Sequence, residues 1–309
     1  MTDSAANDPA AQAAEPQSLL DRFGAALPVA LTAIATAFAG LSTSELQQAM
    51  FWRSAAAQDQ SQAANQWSLA GFKRDRSLIV QTTAAQLRAA SGYTPPSFLA
   101  SDNTTDPNVR AALEWLAGKG PPSAKLPEIK DDNVKGLLQA IQNREAEADL
   151  LKRAARISEA TINSAIDDAE KANKQIDNEW TDIVREAARL VDERTRISPD
   201  AHDRAAAVIV ATAAQAAGFD LENRRYRMEA NLNFGIGYLY EARVKVSTAE
   251  SDRHRERSKT FFYAMLAGQV GATISSLALA RKHRSALWLL AGVSGVVAVA
   301  IGVYVYVGM

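Results

Sequence analysis

The side chains that could perform chemistry in this chain are few and far apart. The three histidines are His202, His254 and His283, and the chain has no cysteine. A metal centre needs several ligands brought together, and without cysteine a thiol nucleophile or a Cys-based zinc site is excluded. The sequence also lacks His-Glu-x-x-His, Gly-x-Ser-x-Gly and a phosphate-binding loop. We therefore predict a protein that is not an enzyme and that holds no metal or cofactor.

One group of acids and one glycine pair could suggest a site, but both have a simpler explanation. Asp167, Asp168 and Glu170 lie in a charged helical segment, where we interpret them as solvated residues. The Gly-Lys-Gly at residues 118–120 is followed by two prolines, whereas a phosphate-binding loop is followed by a helix. Between residues 42 and 260 basic and acidic residues nearly balance, so no nucleic-acid partner is predicted.

Three apolar runs dominate the organisation of the chain. Residues 261–280 and 286–307 are uncharged runs separated by only five residues, and residues 23–41 form a third run. A helix needs roughly 20 apolar residues to cross about 30 Å of hydrocarbon, so each run predicts a transmembrane helix, and the last two form a hairpin. The alternative for residues 23–41 is a cleaved signal peptide, because residues 37–39 have the small-x-small form of a cleavage site.

The remaining segments are interpreted around these spans. Residues 1–22 are polar and predict a disordered tail, and residues 42–260 predict a helical body. Prolines and glycines at residues 91–132 indicate a connecting region within that body. The predicted fold class is therefore all-α, an integral membrane protein with three transmembrane helices and a long coiled-coil body.

Two helix boundaries are predicted within the body. Ser42 and Glu45 form a Ser-x-x-Glu capping box, which predicts that a new helix begins at the membrane exit. The uncharged stretch at residues 205–219 is too short to cross a membrane. It predicts the most buried helix of the body, ending near Gly218.

A long helix with a coiled-coil seam is predicted for residues 133–197. Apolar residues recur there at spacings of three and four, which is typical of helices that pack side by side. The residues of this seam are Ile162, Ala169, Ile176, Trp180, Ile183 and Leu190. The seam packs either against the helix predicted at residues 42–90 or against the same helix of a second copy, and the second alternative predicts a homo-oligomer.

Small residues repeat every four positions on both helices of the terminal hairpin. Such repeats allow two membrane helices to approach closely. The six residues are Ala267, Gly271, Ser275, Ser294, Ala298 and Gly302. Basic residues flank the same hairpin, where they either extend to the membrane surface or bind anionic lipid heads. They are Arg253, Arg255, Arg257, Lys259, Arg281, Lys282 and Arg284.

The basic residues also bear on which side of the membrane the body occupies. Short cytoplasmic loops carry an excess of Lys and Arg, whereas long translocated domains largely escape this rule. The basic link at residues 281–285 therefore predicts a cytoplasmic link and a periplasmic body. A cytoplasmic body is the alternative, because the basic residues before the hairpin favour it.

One short motif resembles a known family. Residues 62–67 read Gln-Ala-Ala-Asn-Gln-Trp, and Lys73 follows at the family's spacing. With the first apolar run and the terminal hairpin, this motif resembles an uncharacterised family of bacterial three-span membrane proteins, catalogued only as a domain of unknown function. Residues 69–72 depart from the aromatic and amide positions of the family's motif. The resemblance implies this topology and the bacterial inner membrane, and it implies no activity.

Two functional interpretations follow. The first is a non-enzymatic, membrane-anchored helical scaffold or partner-binding protein, which contacts the lipid bilayer, copies of itself and a further protein. The alternative is a component of an ion channel or transporter. The three apolar runs contain no ionisable residue except tyrosine, and a path for ions or protons usually needs one. The scaffold is therefore the preferred interpretation.

Overall fold

Seven α-helices make up the part of the chain that the structure describes. The structure is a computed structural model, and it describes residues 19–91, 105–119, 125–196, 203–280 and 286–308. The helices are α1 (Leu19–Ser91), α2 (Pro107–Leu116), α3 (Asp132–Gln142), α4 (Glu147–Ala154), α5 (Glu159–Thr195), α6 (Arg204–Ala280) and α7 (Ala286–Gly308). No strand occurs within these ranges, so the predicted all-α class is confirmed for them.

Three of these helices are long and apolar enough to cross a membrane, which confirms that part of the prediction. They are α1, α6 and α7. α1 begins at Leu19, four residues before the predicted span, and residues 1–18 of the predicted tail lie outside the described residues. α6 ends at Ala280 and α7 begins at Ala286, as the lengths of the apolar runs predict.

The single helix predicted for residues 133–197 is wrong, because the chain turns twice in this segment. α3 ends at Gln142 with Asn143 as its C-cap, and Arg144 follows in the left-handed region with a φ of 56°. α5 has its own N-cap, where the Ser158 hydroxyl accepts a hydrogen bond from the Thr161 amide at 3.2 Å. Asparagine and serine favour helix ends. Neither break contains glycine or proline, which mark turns most clearly in a sequence.

Both helix boundaries predicted inside the body are also wrong. α1 continues through Ser42, whose side chain contacts α6 instead of capping a new helix. α6 continues through Gly218, where a Cβ would lie 3.3 Å from Val191 of α5. This glycine therefore permits the close approach of α5 and does not end α6. The start of α6 is not the most buried part of the body, since residues 208–210 are exposed and burial begins only at Ala211.

The described chain divides into two compact units. The first holds Met1–Trp52 and Glu250–Met309, and the second holds Arg53–Ala249. In the first unit, α6 and α7 each bury one side. The buried residues of α6 there are Ser258, Phe261, Ala264, Gly268, Gly271, Ser275 and Ala278, and those of α7 are Ala291, Gly295, Ala298, Gly302 and Val305. Outward residues such as Leu289 and Val296 are apolar and exposed, which suits a lipid environment.

The second unit contains two hydrophobic cores. One core joins α3, α4 and the first half of α5 to α6, with Leu137, Ile162 and Leu239 fully buried. The other joins α2 and the second half of α5 to α6, around Trp115 and Trp180. The first half of α5 therefore packs in one core, and its second half packs in the other.

The buried residues of α1 follow one seven-residue repeat. They are Leu31, Ala35, Ala49, Asp59, Ala63, Ala70, Ser77 and Ala84. Every one of them lies at the first or the fourth position of that repeat, the spacing that favours left-handed packing along a neighbouring helix. Five are alanines, which permit a neighbouring helix to approach closely.

Candidate functional site: packed spans, polar cluster and outer face

The six small residues predicted to hold the terminal hairpin lie at the interior of the first unit. Gly271, Ser275, Ala298 and Gly302 are buried, and Ala267 and Ser294 are half-buried. The Ser294 hydroxyl donates a hydrogen bond to the carbonyl oxygen of Ala267 at 2.6 Å. This bond joins α7 directly to α6, so both predicted ridges contribute to the same interior.

Close approaches at glycines in this unit involve α1 as well as the hairpin. A Cβ on Gly268 of α6 would lie 3.1 Å from the Ala35 Cβ and 3.4 Å from the Ala35 Cα. A Cβ on Gly302 of α7 would overlap the Phe38 ring. The sequence analysis missed Gly268 because its repeat takes every fourth position, and Gly268 lies three positions before Gly271. The signal that could have found it is the alternation of three and four that includes both Ala264 and Gly268.

Polar contacts join α1 and α6 where the apolar runs end. The Ser42 hydroxyl donates to the Ser258 carbonyl oxygen at 3.0 Å, and the Ser258 hydroxyl donates to the Ser42 carbonyl oxygen at 2.8 Å. The Glu45 carboxylate lies 2.6 Å from His254 Nδ1 and 3.4 Å from an Arg257 nitrogen. These contacts set the antiparallel register of the two helices within this unit.

The basic residues predicted to flank the hairpin do not form one patch. Arg257 contacts Glu45 of α1, whereas Lys259 pairs with Glu256 on its own helix at 2.5 Å. Residues two positions apart on a helix point in different directions, so a row of alternating bases is not a single surface. The bases of the hairpin link, Arg281, Lys282 and Arg284, lie outside the described residues.

The predicted coiled-coil seam of α5 packs inside the chain. Ile162 and Ala169 are buried in the first core of the second unit. Trp180 is buried in the other core, where its ring meets the Trp115 ring edge-on at 5.7 Å between centroids. The other seam residues, Ile176, Ile183 and Leu190, are partly buried against that same core. The seam therefore contacts α2 and α6 of its own chain.

A polar cluster joins α1, α5 and α6 within the second unit. Asp59 of α1 is only 4% exposed, and its carboxylate pairs with Arg243 of α6. Arg243 also donates to the side-chain oxygen of Asn163 on α5 at 3.2 Å, and the Ser247 hydroxyl lies 3.5 Å from the second Asp59 oxygen. A buried carboxylate is tolerated only with partners of this kind. The cluster therefore specifies which residues of the three helices lie side by side.

Tyr240 extends this polar cluster. Its hydroxyl donates a hydrogen bond to Glu170 at 2.6 Å, and its ring centroid lies 5.1 Å from the Arg243 guanidinium. Glu170 is therefore not the fully solvated acid that the sequence predicted. Burial, reinforced by the hydrogen bond to Glu170 and by the charge of that carboxylate, raises the pKa of Tyr240 to about 12. Burial lowers the pKa of Arg243, but the hydrogen bond to Asp59 and the charges of Asp59, Tyr240 and Glu159 together outweigh it, so that pKa lies above its ordinary value.

This raised pKa predicts a late tyrosine ionisation. In the difference between the ultraviolet alkaline titrations of the wild type and Tyr240→Phe, we expect tyrosinate to form near pH 12. An unperturbed tyrosine ionises near pH 10. The pKa is higher in the folded state than in the unfolded state, so the stability from the retained proton is fully present below about pH 10. It is lost as the pH rises through about 12, and a difference titration centred near pH 10 would contradict the assignment.

Trp67, which belongs to the family-like motif, packs inside the second unit. Its ring lies 5.4 Å from the Phe234 ring of α6. Gly237 permits this contact, because a Cβ there would lie 3.3 Å from the indole. Lys73, the other residue of the motif, pairs with Glu229 of α6. The motif residues thus hold α1 against α6.

The outer face of α1, defined by Leu69, Phe72, Arg76 and Ile79, is uncovered in the described part of the chain. Its three apolar residues are 47%, 53% and 65% exposed in chain order. The Arg76 guanidinium lies 4.8 Å from the Phe72 ring and 5.9 Å from the Tyr226 ring of α6. A cavity of about 280 Å³ adjoins this face and is lined by α1, α5 and α6. Residue type alone does not define this face, since exposure depends on which neighbouring residues cover a side chain.

The buried acid Asp59 and the one described histidine, His254, both lie in contacts between helices. Among the described residues, no group of three or more His, Asp or Glu side chains is placed to hold a metal ion. His254 contacts Glu45, and the other two histidines, His202 and His283, lie outside the described residues. The polar contacts position helices, whereas the outer face and its cavity stay uncovered in the described part of the chain.

Comparisons of this chain with protein families, with curated proteins and with solved structures find no match. The resemblance to a bacterial three-span family therefore stays a prediction, which rests on residues 62–67, on Lys73 and on the order of the apolar runs. The function has to be argued from the geometry of the molecule itself.

Proposed function

We propose that this protein is a non-enzymatic, membrane-anchored helical scaffold that binds a partner protein through its body. In this proposal, α1, α6 and α7 cross the inner membrane of a bacterium, and Arg53–Ala249 forms the body. The length and apolar composition of the three helices support the anchoring, because only helices with satisfied backbone groups cross hydrocarbon as single segments.

The exposed apolar surface of the body carries the proposal. Leu69, Phe72, Leu78 and Ile79 of α1 are exposed, although the body buries two cores of its own. Groups of exposed apolar residues outside a membrane mark contact sites for other molecules. A scaffold accounts for both features, since it needs a stable interior and an uncovered face.

The proposal includes coiled-coil packing of α1 along α6 within each unit. The seven-residue repeat of α1 supports it, as do antiparallel contacts such as Ser42 with Ser258 in the first unit and Asp59 with Arg243 in the second. A homo-oligomer is also part of the proposal. It would use a surface other than the seam of α5, because that seam packs inside the chain.

We place the body on the periplasmic side, because the short basic link at residues 281–285 favours the cytoplasm. In the cysteine-free chain, a single cysteine at Ser101 should then react with a membrane-impermeant maleimide on intact spheroplasts. A cysteine at Ser285 should react only after the membrane is permeabilised, and it serves as the matched control. The reverse labelling pattern would place the body in the cytoplasm.

Cross-linking in native membranes, followed by purification of the full chain in mild detergent, tests the scaffold. We expect a discrete complex that contains a second protein at fixed stoichiometry and exceeds the mass of one chain. An integer multiple of the chain's own mass would identify a homo-oligomer and would overturn the binding of a different protein. Recovery of single chains alone would contradict the scaffold itself.

A further inference from the structure

We propose that the outer face of α1 is the docking surface for an acidic amphipathic helix of a partner protein. This inference rests on the proposed scaffold function and goes further, since it assigns the surface and the chemistry of the partner. The surface comprises Leu69, Phe72, Arg76 and Ile79 together with the adjoining cavity of the second unit.

The apolar residues of the outer face lie on one side of α1. Phe72 and Ile79 are seven residues apart, which is two helical turns, and Leu69 precedes Phe72 by one turn. The buried residues Ala70 and Ser77 lie on a different side of α1, towards the interior of the unit. Three turns of α1 thus offer an exposed apolar stripe of the kind that receives a helix with apolar residues at spacings of three and four.

The adjoining cavity supplies an anchoring pocket. Its volume is about 280 Å³, and apolar residues from all three helices line it, namely Leu69 of α1, Ile176 and Trp180 of α5, and Leu232 of α6. A cavity of this size accepts one large side chain. Buried anchors of this kind, surrounded by a polar rim, supply most of the binding energy at protein interfaces.

The charges beside the stripe favour an acidic partner. Lys73 and Arg225 both pair with Glu229, and Arg225 also pairs at 3.8 Å with Asp177, so both acids that line the cavity already have basic partners. In the described ranges, by contrast, no carboxylate pairs with Arg76 on the outer face or with Lys174 at the rim of the cavity. Arg76 donates a hydrogen bond to the Tyr226 hydroxyl at 3.5 Å, and its guanidinium lies over the Phe72 and Tyr226 rings. These contacts orient the guanidinium and leave some of its N–H donors for a carboxylate of the partner.

A second copy of this chain fits the outer face less well. Two copies anchored in one membrane would run α1 in the same direction, and a two-fold axis between them pairs each residue near the axis with itself. Arg76 lies in the middle of the stripe, so it would face the Arg76 of the other copy. Two like charges that face each other directly are unfavourable, whereas a carboxylate of a different protein would form an ion pair with Arg76.

Site-specific photocross-linking in native membranes tests this assignment. The full chain carries a benzophenone amino acid in place of Phe72, and a matched control carries it in place of Gln60, an exposed polar residue on another side of α1. Mass spectrometry then identifies the segment that is joined to each position. We expect the Phe72 position to capture a helical segment with apolar residues at spacings of three and four and with Asp or Glu among them.

Charge reversal supplies the second measurement. Arg76→Glu and Lys174→Glu, made separately, should each lower the yield of that cross-link about tenfold, while Arg76→Lys should retain most of it. Capture of a second copy, of lipid or of a basic segment would overturn the assignment, as would a yield no higher than at Gln60. If the heteromeric complex is still recovered in these cases, the scaffold function stands and only this docking surface fails.

Discussion

Replacing Gly268 by leucine is expected to lower the unfolding temperature of the detergent-solubilised protein by about 5–10 °C. A Cβ at this position would already lie 3.1 Å from the Ala35 Cβ, 3.4 Å from the Ala35 Cα and 3.5 Å from the Ala35 nitrogen. Two of these three atoms belong to the backbone of α1, so no side-chain rotation relieves the contact. We expect a cost of about 3 kcal/mol, the upper part of the range for overpacked interiors.

Gly292→Leu is the matched control for this variant. A Cβ on Gly292 would meet no atom within 4 Å, so the leucine would extend into open space on an apolar helix. Its unfolding temperature should stay within about 2 °C of the wild type. Equal losses in the two variants would mean that added bulk in any span, rather than the approach of α1 to α6, sets the stability of the first unit.

Asp59→Ala is expected to reduce the free energy of unfolding by about 3 kcal/mol, because it leaves Arg243 without its buried carboxylate. This value lies at the lower end of the range for broken buried pairs, since the Arg243 side chain is 26% exposed. Chemical denaturation of the full chain, followed by the tryptophan signal, would measure it.

Two control variants separate the charge pair from other effects of the substitution. The double variant Asp59→Leu with Arg243→Met removes both charges and should recover most of the loss, because well-packed apolar residues replace buried ion pairs at little cost. Asp182→Ala removes an exposed pair with Arg185, and it should change stability by less than about 0.5 kcal/mol. A double variant as unstable as Asp59→Ala would show that the Asp59 position depends on hydrogen bonding throughout the cluster.

The candidate spans could be predicted from sequence because length and apolar composition are properties of a single segment. The runs at residues 261–280 and 286–307 correspond closely to the end of α6 and to α7. The repeat of small residues in each hairpin helix could also be predicted, because it too is a property of a single segment. The contribution of α1 to that interior, through Ala35 and Phe38, depends on contacts between segments more than two hundred residues apart, which a local pattern does not contain.

The arrangement of the body was harder to predict because its longest repeat is built from alanine. Ala63, Ala70 and Ala84 lie on the buried side of α1, but alanine is also common on exposed helix surfaces. The isoleucines of α5 give a clearer pattern, so the sequence predicts the coiled-coil seam there. The breaks near Asn143 and Ser158 were missed because ordinary residues form them.

The polar contacts were not predictable from residue type. Residues 60–66, which follow Asp59, are all polar or small, and nothing local distinguishes it from a solvated acid. Its burial depends on Arg243, which follows 184 positions later. Glu170 was placed on a solvated surface for the same reason, although the hydroxyl of Tyr240 binds it.

The seven-residue repeat in α1 also limits how its length can vary during evolution. Insertion of seven residues returns every following side chain to nearly the same side of the helix, whereas an insertion of three or four residues overwinds or unwinds the packing locally. A single inserted residue would rotate everything beyond it by about 100°, and insertion just before Asp59 would carry this carboxylate away from Arg243. Homologous chains should therefore differ in the length of α1 by multiples of seven residues, with compensating changes in α6.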